Sequence, residues 1–359
     1  MHRELVFRFA QHLLIFPRLL FLSGSFGPRT LRPAWYLHYF YIPALGRNDF
    51  MNVACIYDFD LTLTEEYQQF PILRQFAREI EQKHGITKID DYFGKLCSGQ
   101  GIDIGVGAMQ QILIDCRDIF TDISNESMRT VYAPQIRLAP GLPDWFPRIT
   151  AYAEQQGLDL EHHVVSAGFT PLIQGTMIAP YLASLRSGTF LEGARDLDRI
   201  KTIVDPNNKR EEIIKICKGK DVHEDLPIDQ YKFMYENVIV FGDGKSDKRK
   251  FNFVRERGGL AIGVYEKGNE ADLARAQRDL GRRVHHLVPR DYSANSAIEW
   301  VVQGGLEAIA KRTCTLDYRM IQALQLQHLR NQEQIELYSR HLQNCGDCQE
   351  RSRPTQIWG

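Results

Sequence analysis

The stretch VACIYDFDLTLTEE, residues 53–66, passes without a turn signal from an apolar run to two carboxylates, Asp58 and Asp60. Its first five residues show no clean polar and apolar alternation, as expected of a strand buried on both faces of a parallel sheet. Residues two apart on a strand point to the same face, so both carboxyl groups can meet one ligand where the strand ends. The stretch therefore predicts an α/β protein with its functional site at the carboxyl edge of a parallel sheet.

The composition of the chain indicates what kind of protein it is and which partners to expect. With 359 residues, 43% of them hydrophobic and 25% charged, the chain is long enough for one or two domains with a sizeable core. The formal net charge is −1, so we expect no nucleic-acid partner and no attraction to an anionic membrane. Seven cysteines, most of them scattered through apolar or helical segments, indicate a reducing compartment, and the expected location is cytoplasmic.

Residues 1–50 form an extension that differs from the rest of the chain. Its first 48 residues carry six arginines, no lysine and one acidic residue, Glu4. Pro17 and Arg18 interrupt the apolar runs, which stay below the ~20 residues of a membrane span. Three interpretations stay open: an organelle transit peptide, a secretory signal without a clean cleavage site, or an extension in front of a start at Met51.

From Met51 onward, strand-like and helix-like segments alternate, which predicts a parallel sheet covered by helices. Further strands are expected at 162–166, 237–242, 259–264 and 283–288, and helices at 140–157 and from Lys209 onward. The ~75 residues after the first strand hold only helical segments, such as 70–85 and 108–120, and are too long for a single crossover. We therefore predict a core domain of 51–64 and 140–303, a helical cap of 65–139, and a C-terminal helix and tail of 304–359.

Polar residues of the same kind follow three of the expected strands. Asp58, Asp60 and Thr62 follow the first strand, Ser166 and Gly168 the second, and Asp243 and Asp247 the third. Lys209 stands near the start of a helix, where the backbone amides already favour an anion. Crowded carboxylates repel one another unless a cation joins them, and ligation by oxygen alone indicates Mg²⁺.

The ordered motifs DxDxT, Ser, Lys and GDGxxD resemble the haloacid dehalogenase superfamily over residues 52–303. The insertion between the first two motifs is similar to that of members with a helical cap, phosphoserine phosphatase among them. The stretch from CIYDFDLT to VPRDYS resembles uncharacterised bacterial hydrolases of the superfamily most of all. The resemblance implies a Rossmann-like, three-layer α/β fold with a small α-helical cap inserted after the first strand.

The resemblance also implies roles for individual residues. Asp58 would be the nucleophile that forms an aspartyl-phosphate, and Asp60 the acid and base that moves protons. The phosphate of the substrate would be bound by Thr62, Ser166, Gly168 and Lys209, and Mg²⁺ by Asp58, the main-chain carbonyl of Asp60, Asp243 and Asp247. The implied activity is a Mg²⁺-dependent phosphatase that hydrolyses a small phosphorylated metabolite.

Other functions stay open at this point. A phosphotransferase of the same superfamily would carry the same motifs. A receiver-like signalling module also surrounds a phospho-accepting aspartate with acids and a lysine, but it lacks so large a helical insertion and the late GDGxxD. A binding protein without catalysis is disfavoured by the intact acidic set. Serine as the substrate alcohol is in doubt, because Tyr67 stands where phosphoserine phosphatases place a glutamate, and Glu65 and Glu66 come slightly before it.

Several motifs also have simpler interpretations. The DFD sequence fits a helix cap, Ser166 fits an N-cap of the following segment, and Lys201, Arg210 and Lys215 lie close to Lys209 as alternatives. The basic run KSDKRK, residues 245–250, is expected to be a solvated loop. CGDC at 345–348 is the pattern of a zinc or redox pair, but a single pair in a polar tail favours chance. The tail helix fits docking onto the core or a homodimer contact.

Overall fold

The computed structural model describes residues 51–97, 104–192, 197–226 and 230–311. The interpretations of residues 1–50, of the tail beyond 311 and of CGDC at 345–348 lie outside the described residues. Within the described ranges, no helix combines the length and the apolar character that crossing a membrane requires.

A seven-stranded sheet forms the centre of the fold and confirms the predicted α/β class. The strands are β1 Met51–Tyr57, β2 Leu158–Phe169, β3 Ser184–Glu192, β4 Leu197–Thr202, β5 Val238–Gly242, β6 Leu260–Tyr265 and β7 His286–Pro289, in the spatial order β4-β3-β2-β1-β5-β6-β7. Every neighbouring pair is parallel except β3 and β4, which are antiparallel. β1 is therefore the central strand, with β2 on one side and β5 on the other.

Five of these strands were predicted, and two were not. β2 runs past the expected end at Ser166 to Phe169, and β7 begins at His286 rather than at residue 283. β3 and β4 were missed because SLRSGTFLE and LDRIKT contain many polar residues. β4 is the edge strand and is largely exposed, and β3 beside it is only partly buried. Strands buried on one or neither face lack the apolar run that identifies the central ones.

Helices cover both faces of the sheet and build the insertion after β1. They are α1 Phe70–Gln75, α2 Ala77–His84, α3 Asp91–Cys97, α4 Ile104–Asp115, α5 Asn125–Ser127, α6 Trp145–Gln155, α7 Thr170–Gln174, α8 Lys209–Lys218, α9 Lys248–Arg255, α10 Glu270–Leu280 and α11 Ala297–Ala310. The helix expected at 70–85 is two helices, since the chain leaves helical geometry at Phe76. The helix expected from Lys209 is α8.

The chain leaves and re-enters the core at two segments that pair with each other. Thr64 and Leu138 form an isolated antiparallel bridge, and the Glu65 N–H donates to the Arg137 carbonyl at 2.9 Å. The buried Glu66 carboxylate accepts from Arg74 at 2.7 and 2.8 Å and from Arg137 at 2.9 Å. These contacts fix the base of the helical insertion, and its predicted boundaries at 65 and 139 stay predictions.

Candidate active site

The site begins where β1 ends. Val53 to Tyr57 are completely buried, and the Asp58 N–H extends the strand pairing by donating to the Phe241 carbonyl of β5 at 3.1 Å. The chain then turns sharply at Leu61, whose φ is +55°. Arg290, just after β7, donates to the Leu61 carbonyl at 2.7 Å. The end of β1 thus positions Asp58, and the turn at Leu61, which Arg290 stabilises, positions Asp60.

Two buried lysines bind the carboxylates of Asp58 and Asp247. Lys209 Nζ, at the start of α8, donates to Asp58 Oδ2 at 2.7 Å and to Asp247 Oδ1 at 2.9 Å. Lys250 Nζ lies 2.7 Å from the same Asp247 Oδ1 and donates to the Phe241 carbonyl at 2.8 Å. The prediction that Lys209, rather than Lys201, Arg210 or Lys215, lies beside Asp58 agrees with this geometry.

The described residues contain one group of acidic side chains that fits a metal ion. Asp58, Asp243 and Asp247 each offer a carboxylate oxygen, and these oxygens lie within 4.8 Å of one another. Asp247 Oδ2 is buried and has no hydrogen-bond partner among the described residues, as expected of an oxygen that awaits a ligand. Three carboxylates with one unpartnered oxygen suit a hard divalent cation such as Mg²⁺.

The pKa values of these carboxylates reflect their crowding. Burial, with the charges of Asp247 and Asp58, raises the pKa of Asp243 to about 7. Burial and Asp247 also raise the pKa of Asp58, while Lys209 works against them. Burial opposes ionisation of Asp247 too, but Lys209 and Lys250 together lower its pKa to about 2. A divalent cation among Asp58, Asp243 and Asp247 would offset the repulsion.

Asp60 is held away from the carboxylate cluster by Gln68. Its Oδ1 accepts from the Gln68 N–H at 2.7 Å, and its Oδ2 accepts from Gln68 Nε2 at 2.9 Å. Burial raises the pKa of Asp60 to about 7, although the bond from the Gln68 N–H works against the rise. The carboxyl group of Asp60 therefore does not join the metal-binding group, and only its main-chain carbonyl stays a predicted ligand.

Three predicted phosphate-binding residues do not line the cleft that opens over these carboxylates. The Thr62 hydroxyl is buried without a hydrogen-bond partner among the described residues. Ser166 Oγ accepts from the Gly168 N–H at 3.0 Å, and an added Cβ at Gly168 would lie 1.7 Å from Gln68 Nε2. Ser166 does not cap α7, because β2 continues to Phe169 and that residue is the N-cap. Phosphate binding by Thr62, Ser166 and Gly168 stays a prediction.

The interpretation of residues 245–250 as a solvated loop is wrong for its last part. α9 begins at Lys248, and Lys250 is completely buried on the inner face of that helix. Lys250 lies three residues after Asp247, one helical turn away, and that spacing was the available signal. Lys245, at the other end of the run, is exposed. Gln68 and Arg275 were missed as well, and Arg275 donates to the Asp243 carbonyl at 3.2 Å.

A cleft of about 670 Å³ opens over this cluster. Asp58, Asp60, Lys209 and Asp243 lie at one end of its wall, and side chains of the insertion, among them Tyr67, Phe70 and Phe93, line the same cleft. Burial and the charges of Asp243 and Asp60 raise the pKa of Tyr67 to about 12. Glu66 is not on this wall, because its carboxylate is bound by Arg74 and Arg137.

Comparisons with known proteins show distant similarity. No family model matches the chain. An uncharacterised protein of Borreliella burgdorferi is 24% identical over 230 residues, which cover 56% of this chain and 78% of that protein. A HAD family hydrolase of Salmonella enterica serovar Typhi has a TM-score of 0.48 at 16% identity, covering 69% of this chain and 73% of its own.

Two further solved structures are similar at the same level. A substrate-bound phosphoserine phosphatase has a TM-score of 0.45 at 14% identity, over 70% of this chain and 98% of that one. A probable phosphoserine phosphatase of Vibrio cholerae has a TM-score of 0.45 at 14% identity, over 74% of this chain and 67% of its own. Similarity at this level assigns neither a substrate nor a residue role to the chain.

Proposed function

We propose that the chain is a Mg²⁺-dependent phosphatase that hydrolyses a small-molecule phosphate monoester through an aspartyl-phosphate on Asp58. The observation that carries the proposal is the buried arrangement of Asp58, Lys209, Asp243 and Asp247 at one end of a cleft. Asp58 both lines the cleft and is bonded to a buried cation, as a nucleophile that must stay ionised requires. Asp60 lines the same cleft and is held separately by Gln68.

The two aspartates divide the chemistry between them. Asp58 attacks phosphorus, the ester bond from phosphorus to oxygen breaks, and the Asp60 carboxyl proton goes to the leaving alkoxide. Asp60, now ionised, takes a proton from a water molecule as that water attacks phosphorus, and the bond between phosphorus and Asp58 breaks. The products are the alcohol and inorganic phosphate, and both carboxyl groups return to their starting states.

The remaining groups stabilise charge. Lys209 stays bonded to Asp58 and lies close enough to share the negative charge of a phosphoryl group there. Mg²⁺, when bound by Asp58, Asp243 and Asp247, would supply further positive charge to the phosphoryl oxygens. Side chains of the insertion line the cleft and would keep bulk water from the aspartyl-phosphate. A receiver-like module would not need a second, proton-carrying acid in the same cleft.

An aryl phosphate assay tests the proposal. We expect purified protein to release phosphate from p-nitrophenyl phosphate with Mg²⁺ and not with EDTA, and Asp58→Asn to abolish release. Asp198→Asn is the matched control, because Asp198 is an exposed aspartate that pairs with Arg199. Full activity in EDTA, or equal loss in both variants, would refute the proposal.

A further inference from the structure

Lys250 is the feature of this site that the proposed reaction does not use. Its side chain is completely buried and does not line the cleft, so it does not touch a substrate there. Burying a lysine is unfavourable unless its charge is paired and its amine finds hydrogen-bond partners. Lys250 Nζ has two such partners, Asp247 Oδ1 at 2.7 Å and the Phe241 carbonyl at 2.8 Å.

The two carboxylate oxygens of Asp247 differ in their hydrogen-bond partners. Oδ1 is bound by Lys209 and by Lys250, whereas Oδ2 is buried without a partner among the described residues. Oδ2 lies against Gly242, where an added Cβ would approach it to 2.1 Å. The carboxylate therefore has one orientation, with Oδ1 toward the lysines and Oδ2 free for another ligand.

Lys209 alone would hold this orientation less firmly. Its amine is shared between Asp247 and Asp58, and in the proposed reaction Asp58 carries a phosphoryl group for part of each cycle. Among the described residues, Lys250 bonds only Asp247 and the end of β5, at the same Phe241 carbonyl that accepts from the Asp58 N–H. Lys250 thus connects Asp247 to the β5 backbone that also bonds the Asp58 N–H. This connection does not depend on Lys209.

We infer that Lys250 is a positioning residue that holds Asp247 Oδ2 toward the divalent-cation site. The inference rests on the proposed function, because that function requires the cation. Partners that orient a metal ligand typically contribute ~10–100-fold to metal affinity. Removing a positive charge would by itself draw a cation in more strongly. Weaker binding in a Lys250 variant therefore reports lost orientation rather than lost charge.

Calorimetric titration of the full chain with Mg²⁺ tests the inference without measuring activity. We expect Lys250→Met to bind Mg²⁺ ~10–100-fold more weakly than wild type. Lys248→Met is the matched control, because Lys248 starts the same helix and is paired with Asp279 rather than with Asp247. Its Mg²⁺ affinity should not fall below that of wild type. Unchanged or tighter binding in a folded Lys250→Met would overturn the inference.

A second comparison is used if the Lys250→Met variant does not fold. It compares Asp247→Asn with the double variant Asp247→Asn/Lys250→Met, and neither variant contains a buried aspartate that has lost its lysine partner. If Lys250 acts through Asp247, the double variant should bind Mg²⁺ no more weakly than Asp247→Asn, because the effects of coupled residues are not additive. Weaker binding in the double variant would show that Lys250 acts elsewhere. Failure of the proposed function looks different: wild type would then neither bind Mg²⁺ nor release phosphate.

Discussion

Gln68 holds the carboxyl group of Asp60 from two directions. Its N–H donates to one oxygen at 2.7 Å and its side-chain amide to the other at 2.9 Å. The amide oxygen of Gln68 in turn accepts from the Phe169 N–H of β2 at 2.8 Å. Gln68, which lies between β1 and α1, thereby joins the proposed proton carrier to β2.

Gly168→Ala is expected to impair Asp60 through Gln68. The added Cβ would approach Gln68 Nε2 to 1.7 Å, and because that atom ends a flexible side chain, Gln68 should move and release Asp60. We expect kcat for alkyl phosphates to fall by ~10-fold or more, a part of the ~10²–10⁴ that proton transfer contributes. Aryl phosphates, whose leaving groups need little protonation, should be affected less. Gly304→Ala is the control, since an added Cβ there meets open space.

Asp60→Asn should show the same leaving-group dependence in a stronger form. We expect turnover to slow by ~10²-fold or more with alkyl phosphates, and phosphoenzyme to stay detectable with an activated aryl phosphate. Steady-state rates over a series of phosphates with different leaving-group pKa values would measure the dependence. An equal loss for every leaving group would contradict the role of Asp60.

Tyr67 is expected to govern which alcohols the cleft accepts. Its ring is nearly half exposed on the cleft wall and packs edge-on against Phe70 with ring centroids 5.6 Å apart. An aromatic contact is worth ~0.5–1.5 kcal/mol, so Tyr67→Ala should lower kcat/KM for aryl phosphates by up to ~10-fold. Trp300→Ala, a change at an exposed aromatic residue of α11, should not.

Phosphoserine gives the complementary measurement. Since Glu66 is bound by Arg74 and Arg137, it is not available for the amine of the substrate. We expect wild-type kcat/KM for phosphoserine to be lower than for aryl phosphates. Preference for phosphoserine, or Tyr67→Ala without effect on aryl phosphates, would contradict the role of the aromatic wall.

His162 should make the fold sensitive to acid. It is buried between Tyr57 and Thr150, and burial lowers its pKa from 6.5 to about 4. Below pH 6.5 the His162 side chain binds a proton in the unfolded chain but stays neutral in the folded chain. Its contribution to the free energy of unfolding is therefore fully present above pH 6.5 and is lost as the pH falls toward 4. The loss attributable to His162 is about 2 kcal/mol near pH ~5.

Urea unfolding at neutral and acidic pH measures this contribution. His162→Gln keeps hydrogen-bonding capacity but does not titrate, so its free energy of unfolding should fall less on acidification. His286→Gln is the control, because His286 is exposed on the last strand. Equal acid sensitivity of wild type and His162→Gln would show that His162 is not the cause.

The sequence identified the central strands and the residues at their carboxyl ends, because runs such as VACIY and NVIVFG are recognisable without tertiary information. Asp58, Lys209, Asp243 and Asp247 could be expected to meet, since neighbouring parallel strands end at one edge. Lys250 was not predicted to be buried, because a lysine is rarely buried and its burial depends on the contacts with Asp247 and the Phe241 carbonyl. Gln68 was missed because its role depends on the distant Phe169.

Covalent labelling identifies the nucleophile directly. The chain is mixed with an activated aryl phosphate and Mg²⁺, quenched rapidly in acid, and its intact mass is measured. We expect the added mass of one phosphoryl group on wild type and on Asp60→Asn, and no added mass on Asp58→Asn. A label retained by Asp58→Asn, or located on a serine, would contradict the assignment of Asp58 as the nucleophile.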